Sequence, residues 1–199
     1  MDTSPAGRAF IIKHEGVVLH TYRDQRGIDT IGIGCTGPEA WPGRVITREQ
    51  ADELFAARLD MEFEPGIERA LEGAPITQAQ FDAFVSLFFN VGIRHARTCT
   101  AMRQHKAGNY VLAAKAFELF NKVRMNGVLV YSEPHMKRRR AEAAMYLSQP
   151  VAPMRPAYDR YLVAKGLQTA LLPVDPKLLV DGRWGPDSRA AYDKFNRGE

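Results

Sequence analysis

Cysteine is scarce: the 199 residues hold only Cys35 and Cys99. They are too few for a disulfide framework and not spaced as a metal pair, so both are expected to be small reduced core residues. The histidines, His14, His20, His95, His105 and His135, never fall at HxxxH or HExxH spacing. That argues against a zinc or non-haem iron enzyme. No apolar run approaches the roughly 20 residues needed to span a bilayer. The N-terminus, Met1-Asp2-Thr3-Ser4-Pro5, is polar and leads to Arg8, Lys13 and Glu15. A secretory signal needs a basic patch followed by a long apolar core. The expectation is a chain made in the cytoplasm without a common export signal. Repeats and low-complexity segments are also absent.

What is present is an ordinary globular composition, 45% hydrophobic and 25% charged. The length suits one domain of about 150 residues plus a small module. A net charge of +4 and a pI near 9.1 favour solubility and are compatible with an anionic polymer such as nucleic acid or bacterial cell wall. No basic arm stands out. The one charge cluster, Lys137-Arg138-Arg139-Arg140, lies in a helical pattern and reads as a solvated or carboxylate-paired face rather than a ligand-contacting patch.

Ser4-Pro5 is a helix start, and Gly16 a natural stop, so a helix is expected over about residues 5–15. Leu19–Arg23 and Ile28–Ile33, joined by the turn Asp24-Gln25-Arg26-Gly27, read as an antiparallel hairpin, with a possible third strand near Val45. Thr47…Gln50 and Thr77…Gln80 have capping-box form. The first opens a helix expected to stop before Pro65. The second opens Phe81–Phe89, apolar on nearly every side and therefore the buried central helix. Further helices are expected over about Tyr110–Phe120 and from near Ser132 to Leu147. Pro150, Pro153 and Pro156 make a stiff linker, 150–156, between a main domain, 1–149, and a tail, 157–199.

Glu15 closes the first helix, Asp24 begins the hairpin turn and Thr30 lies on the second strand. If Ile31 and Ile33 pack downward, alternation turns Thr30, Gly32 and Gly34 outward, where the glycines leave room for a ligand. Two carboxyls in different environments supply a proton and a charge stabiliser for splitting a glycosidic bond. Glu15, backed by an apolar helix, suits the acid. Asp24, between Arg23 and Arg26, suits the partner that stays ionised.

Ile12-Lys13-His14-Glu15-Gly16, Tyr22-Arg23-Asp24, Gly27 and Thr30-Ile31-Gly32-Ile33-Gly34 resemble the start of the phage-type lysozymes, a muramidase family of glycoside hydrolases. The spacing of that family, eight residues between glutamate and aspartate and five between aspartate and threonine, is met by Glu15, Asp24 and Thr30. Ile76–Phe84, Phe89-Asn90-Val91-Gly92 and Met136–Glu142 continue the likeness over roughly residues 5–148. The resemblance implies an α+β, mostly helical, lysozyme-like fold, with a small N-terminal hairpin lobe, a helical lobe and a cleft between them. It implies Glu15 as general acid, Asp24 stabilising charge or activating water, and Thr30 holding that water, with inversion at the anomeric carbon. The substrate is then the β-1,4 bond between N-acetylmuramic acid and N-acetylglucosamine in peptidoglycan, cut without metal or cofactor. Departures from the family pattern fall at Cys35, Arg97, Asn121 and Val128–Pro134. Gly32 and Arg97 are candidate substrate contacts.

Leu167-Gln168 and Val180-Asp181-Gly182-Arg183-Trp184-Gly185-Pro186-Asp187-Ser188 resemble a peptidoglycan-binding module, with Trp184 as the candidate for stacking on sugar. The whole reads as a monomeric endolysin that binds peptidoglycan, with no nucleic-acid partner and no insertion into a membrane. It would reach the periplasm or cell wall after release by a holin or another delivery route. A lytic transglycosylase, or a non-catalytic wall-binding protein on this fold, is the alternative.

Overall fold

The computed structural model describes residues 1–24, 27–125 and 127–149. The proline-rich linker, the tail module and Trp184 lie outside the described residues.

Helix α1 (Pro5–Glu15) opens where Ser4 Oγ accepts from Gly7 N at 3.1 Å, with Pro5 in the first turn where no helical N–H is needed. It stops at Gly16, whose φ of 75° favours glycine. The expected hairpin follows as β1 (Val18–Arg23) and β2 (Asp29–Gly32). The third strand is not near Val45 but is β3 (Cys35–Thr36), because the chain turns back directly after β2 and leaves Val45 only an isolated bridge to His20. The sheet is antiparallel with β2 in the centre. Ile31, Cys35, Ala40, Ile46 and Ala51 form a small core in this lobe.

Helix α2 (Arg48–Arg58) begins at a complete capping box, Thr47 Oγ1 accepting from Gln50 N and Gln50 Oε1 accepting from Thr47 N. Its Ala51 belongs to the small core and its Phe55 to the large one, so α2 joins the lobes. Helix α2 does end before Pro65, as expected, but the chain stays helical beyond it. The chain passes through a π-helical turn at Leu59–Phe63 into α3 (Glu64–Leu71). Pro65 falls in the first turn of α3, where its missing N–H and ring are tolerated.

The second capping box, at Thr77, opens α4 (Gln78–Val91), whose residues Ala79 to Phe88 are all buried. Phe81, Phe84 and Phe88 gather Phe63, Phe117 and Tyr146 into the large core, each such burial worth about 1.5–3 kcal/mol. Two elements were not expected: α5 (Thr100–Lys106), capped by the Cys99 sulfur, and a hairpin of β4 (Lys122–Met125) and β5 (Val128–Tyr131). Between them, α6 (Tyr110–Ala116) continues as a 3-10 turn over Phe117–Phe120. Helix α7 (Glu133–Leu147) closes the described chain, packed along α4. The architecture is α+β and mostly helical. No helix among the described residues is long and apolar enough to cross a membrane. Both cysteines are free, and burial pushes both thiols up, which keeps them unreactive.

Candidate functional site

The helix-ending Gly16 leaves Glu15 as the last side chain of α1, only one-fifth exposed, where α1 meets the sheet lobe. Its Oε1 accepts from Arg138 Nη1 at 2.6 Å. A Cβ built on Gly34 would come 3.5 Å from Glu15 Oε2 and 3.4 Å from Phe89 Cε1. Gly34 thus lies within contact distance of the carboxyl, and its φ of 64° is what favours glycine there. Its own carbonyl is held by Arg58 Nη1 at 2.6 Å, and that guanidinium lies over both Phe63 and Phe89.

Arg138 and Arg139 bear out the carboxylate-paired reading of the basic run, but as buried residues rather than as a solvated face. Both are buried and paired, while Lys137 and Arg140 stay exposed. Arg138 Nε donates to Glu142 Oε1 at 3.0 Å and Nη2 to the Ser86 carbonyl at 3.1 Å. Arg139 Nη2 donates to the same Glu142 oxygen at 2.9 Å, and Ser86 Oγ donates to it at 2.6 Å. Burial lowers Arg139 to about 10 and pushes the Glu142 carboxyl up, each shift opposed by the opposite charge beside it. Two imidazoles flank this network. Burial first, then the arginine cations, hold His14 and His135 below the usual histidine range, so both are neutral at pH 7.

Asp24 is set by its own turn. Its N–H donates to the Ile28 carbonyl at 2.9 Å, and its Oδ1 accepts from Ile28 N at 2.9 Å. The neighbouring Arg23 pairs with Asp29 at 3.4 Å. Burial, then the charges of Asp24 and Glu15, raise the Tyr22 phenol above its usual value. Glu15 and Asp24 thus act electrostatically on one side chain.

Thr30 does not face outward. It is 4% exposed, because β2 is the central strand and Tyr22 and Thr36 sit directly opposite Thr30 on its two neighbours. Its Oγ1 donates to the Ile28 carbonyl at 3.0 Å. Ile31 and Ile33 are both buried, but in different cores. Gly32 also departs from expectation. At φ 64° the space beside it is bounded by Ala51 and Ile46, so it belongs to the small core rather than to a ligand. Arg97 is exposed in the turn before α5.

The sequence reading omitted Arg138, Tyr22, Ser86 and Glu142 from the site. The signal for Arg138 was the arginine pair followed by Glu142, and Tyr22 stood two residues before Asp24. The reach of Arg138 to Glu15, with Ser86 and Glu142 holding it from behind, needed the fold.

Against known proteins, the profile described as Phage lysozyme matches residues 12–143. The endolysin of Salmonella phage P22 is 35% identical over 152 residues, covering 74% of this chain and 99% of that protein. The solved endolysin from Escherichia coli O157:H7 phage FAHEc1 is 36% identical with TM-score 0.64, covering 77% of this chain and 98% of that one. The muramidase domain of SpmX from Asticaccaulis excentricus is 31% identical with TM-score 0.65, covering 74% and 99%.

Proposed function

The chain belongs to the phage lysozyme family and is a glycoside hydrolase of the lysozyme type, and we propose that it cuts bacterial peptidoglycan with Glu15 as the general acid. The bond is the β-1,4 link between N-acetylmuramic acid and N-acetylglucosamine. The observation that carries this reading is the Glu15 carboxyl itself, one oxygen held by buried Arg138 at 2.6 Å and the other beside Gly34.

Holding Oε1 leaves Oε2 to carry the proton to the departing sugar oxygen. A lone guanidinium would favour the ionised carboxylate and oppose this role. Arg138 is not alone: Glu142 at 3.0 Å shares its charge. Arg138 is therefore a positioning residue, its charge divided between two carboxylates. Asp24, in its polar turn, stays ionised and meets the positive charge that develops on the sugar ring. Thr30, enclosed in the sheet, donates to the same Ile28 carbonyl that accepts from Asp24 N, and so fixes the turn that aims Asp24. The reaction inverts the anomeric centre and uses no cofactor. The 157–199 tail, tethered by 150–156, adds affinity for the wall through Trp184. The enzyme meets the wall after release by a holin or another delivery route.

Turbidity of purified sacculi tests the acid. Glu15→Gln should lower clearing by about 10²–10⁴-fold, the usual worth of a general acid, with pelleting on sacculi and melting close to the parent. Near-normal clearing by this variant would falsify the assignment. Mass spectrometry of the digest should find reducing ends. Anhydro ends would instead identify a transglycosylase.

A further inference from the structure

We propose that the β4–β5 hairpin is a docking element for the surface of an anionic lipid bilayer. Its register pairs Val123 with Val130 and Met125 with Val128 on one face, and Lys122 with Tyr131 and Arg124 with Leu129 on the other. One face is thus wholly apolar, and the other alternates cations with apolar groups. The exposure is large: Met125 59%, Val128 64%, Leu129 56% and Tyr131 52%. Among the described residues none of these side chains belongs to either core, and all but the half-buried Val123 are exposed.

Charge identifies the occupant. From Lys122 to Tyr131 the sequence has two cations and no carboxylate. The nearest acids stand at the base: Glu133 takes the Tyr131 hydroxyl at 2.5 Å, and Glu118 pairs with Arg140 at 3.6 Å. Arg124 is held toward the tip by its bond to the Gly127 carbonyl at 2.6 Å. The base is anchored to the protein by Ser132 N donating to the Asn121 carbonyl at 2.8 Å. The ribbon is acidic at its root and apolar with cations toward its end. Apolar side chains entering the acyl boundary while lysine and arginine meet headgroup phosphates is the arrangement that binds a bilayer interface. Glycan hydroxyls and amides would be left without partners against these aliphatic side chains, and a neutral apolar groove would leave the cations without partners.

The test uses the full chain with vesicles of phosphatidylglycerol and phosphatidylcholine, against phosphatidylcholine alone, read by co-sedimentation. The parent should sediment with the anionic vesicles and release as salt rises. Val128→Ser with Leu129→Ser, and separately Lys122→Gln with Arg124→Gln, should each cut that partition by about tenfold or more. Clearing of purified sacculi, which also reports folding, should stay at the parent level. Absence of binding to anionic vesicles, or equal partition of parent and variants, overturns the proposal. So does loss of sacculus pelleting with vesicle binding intact, which would make the hairpin a wall contact. A parent dimer that the variants lack would overturn it too, by assigning the ribbon to a second copy.

Discussion

His105 shows how one side chain links packing to pH. Its ring is sealed against Phe84 and Tyr110, with Nδ1 2.6 Å from Tyr146 Oη. Burial pushes its pKa down to about 4, against 6.5 for an ordinary histidine. Between those values the unfolded chain binds the extra proton. Stability present above pH 6.5 is therefore lost as pH falls toward 4, by up to about 3 kcal/mol. Urea midpoints between pH 7 and pH 4 should show this slope, and His105→Gln, which cannot titrate there, should flatten it. An unchanged slope would mean that the ring protonates inside the fold. Gly34 is the second residue whose chemistry is decided locally. Gly34→Ala forces a side chain into positive φ and against Phe89 and Glu15. The expected cost is about 1–2 kcal/mol of stability. Clearing of sacculi should fall in step with that loss, because the added methyl meets the Glu15 carboxyl only at ordinary contact distance.

The helices α4 and α7 are fastened by charge as well as by apolar packing. Breaking a buried pair by removing one partner leaves the other charge uncompensated, at about 3–5 kcal/mol. Arg138→Lys keeps the charge and should cost less than that, yet an ammonium cannot hold Glu142, Ser86 and Glu15 in the directions of a guanidinium fork. The same change should lower kcat by about tenfold or more with KM nearly unchanged, the mark of a positioning residue rather than a substrate contact. Unaltered kcat in a folded variant would remove Arg138 from the site. At this scale the capped elements were legible, since Ser4, Thr47 and Thr77 announce α1, α2 and α4 through short-range hydrogen bonds. Helix α5 was not, because a cysteine sulfur is an unusual cap. The second hairpin carried a readable sign in Asn126-Gly127, a favoured turn dipeptide. What hid it is the run Val128–Tyr131, apolar at every position and exposed at every position, which has no alternation to read. The passage through Pro65 was also hidden, because a π-helical turn has no local sequence signature as clear as a cap.

For the molecule as a whole, the prediction concerns how its parts divide the work. A chain ended after Gln149 keeps the contact of Gln149 Oε1 with Ala79 N and both cores. It should melt close to the full chain and still cut soluble glycan fragments, yet pellet less with sacculi. Trp184→Ala in the full chain should weaken pelleting in the same direction. Unchanged wall affinity and unchanged melting in the truncated chain would discard the tail as either a binder or a cap.

The spacing of Glu15, Asp24 and Thr30, the caps and the glycine stops are written in the order of residues, because each depends on neighbours within a turn or a strand pair. That Arg138 grips Glu15 across 123 positions of chain is another matter. So are the enclosure of Thr30 and the turning of Gly32 toward Ala51. These follow from which surfaces the folded chain presses together, and from the exclusion of water there, which sets the strength of every charge in the site.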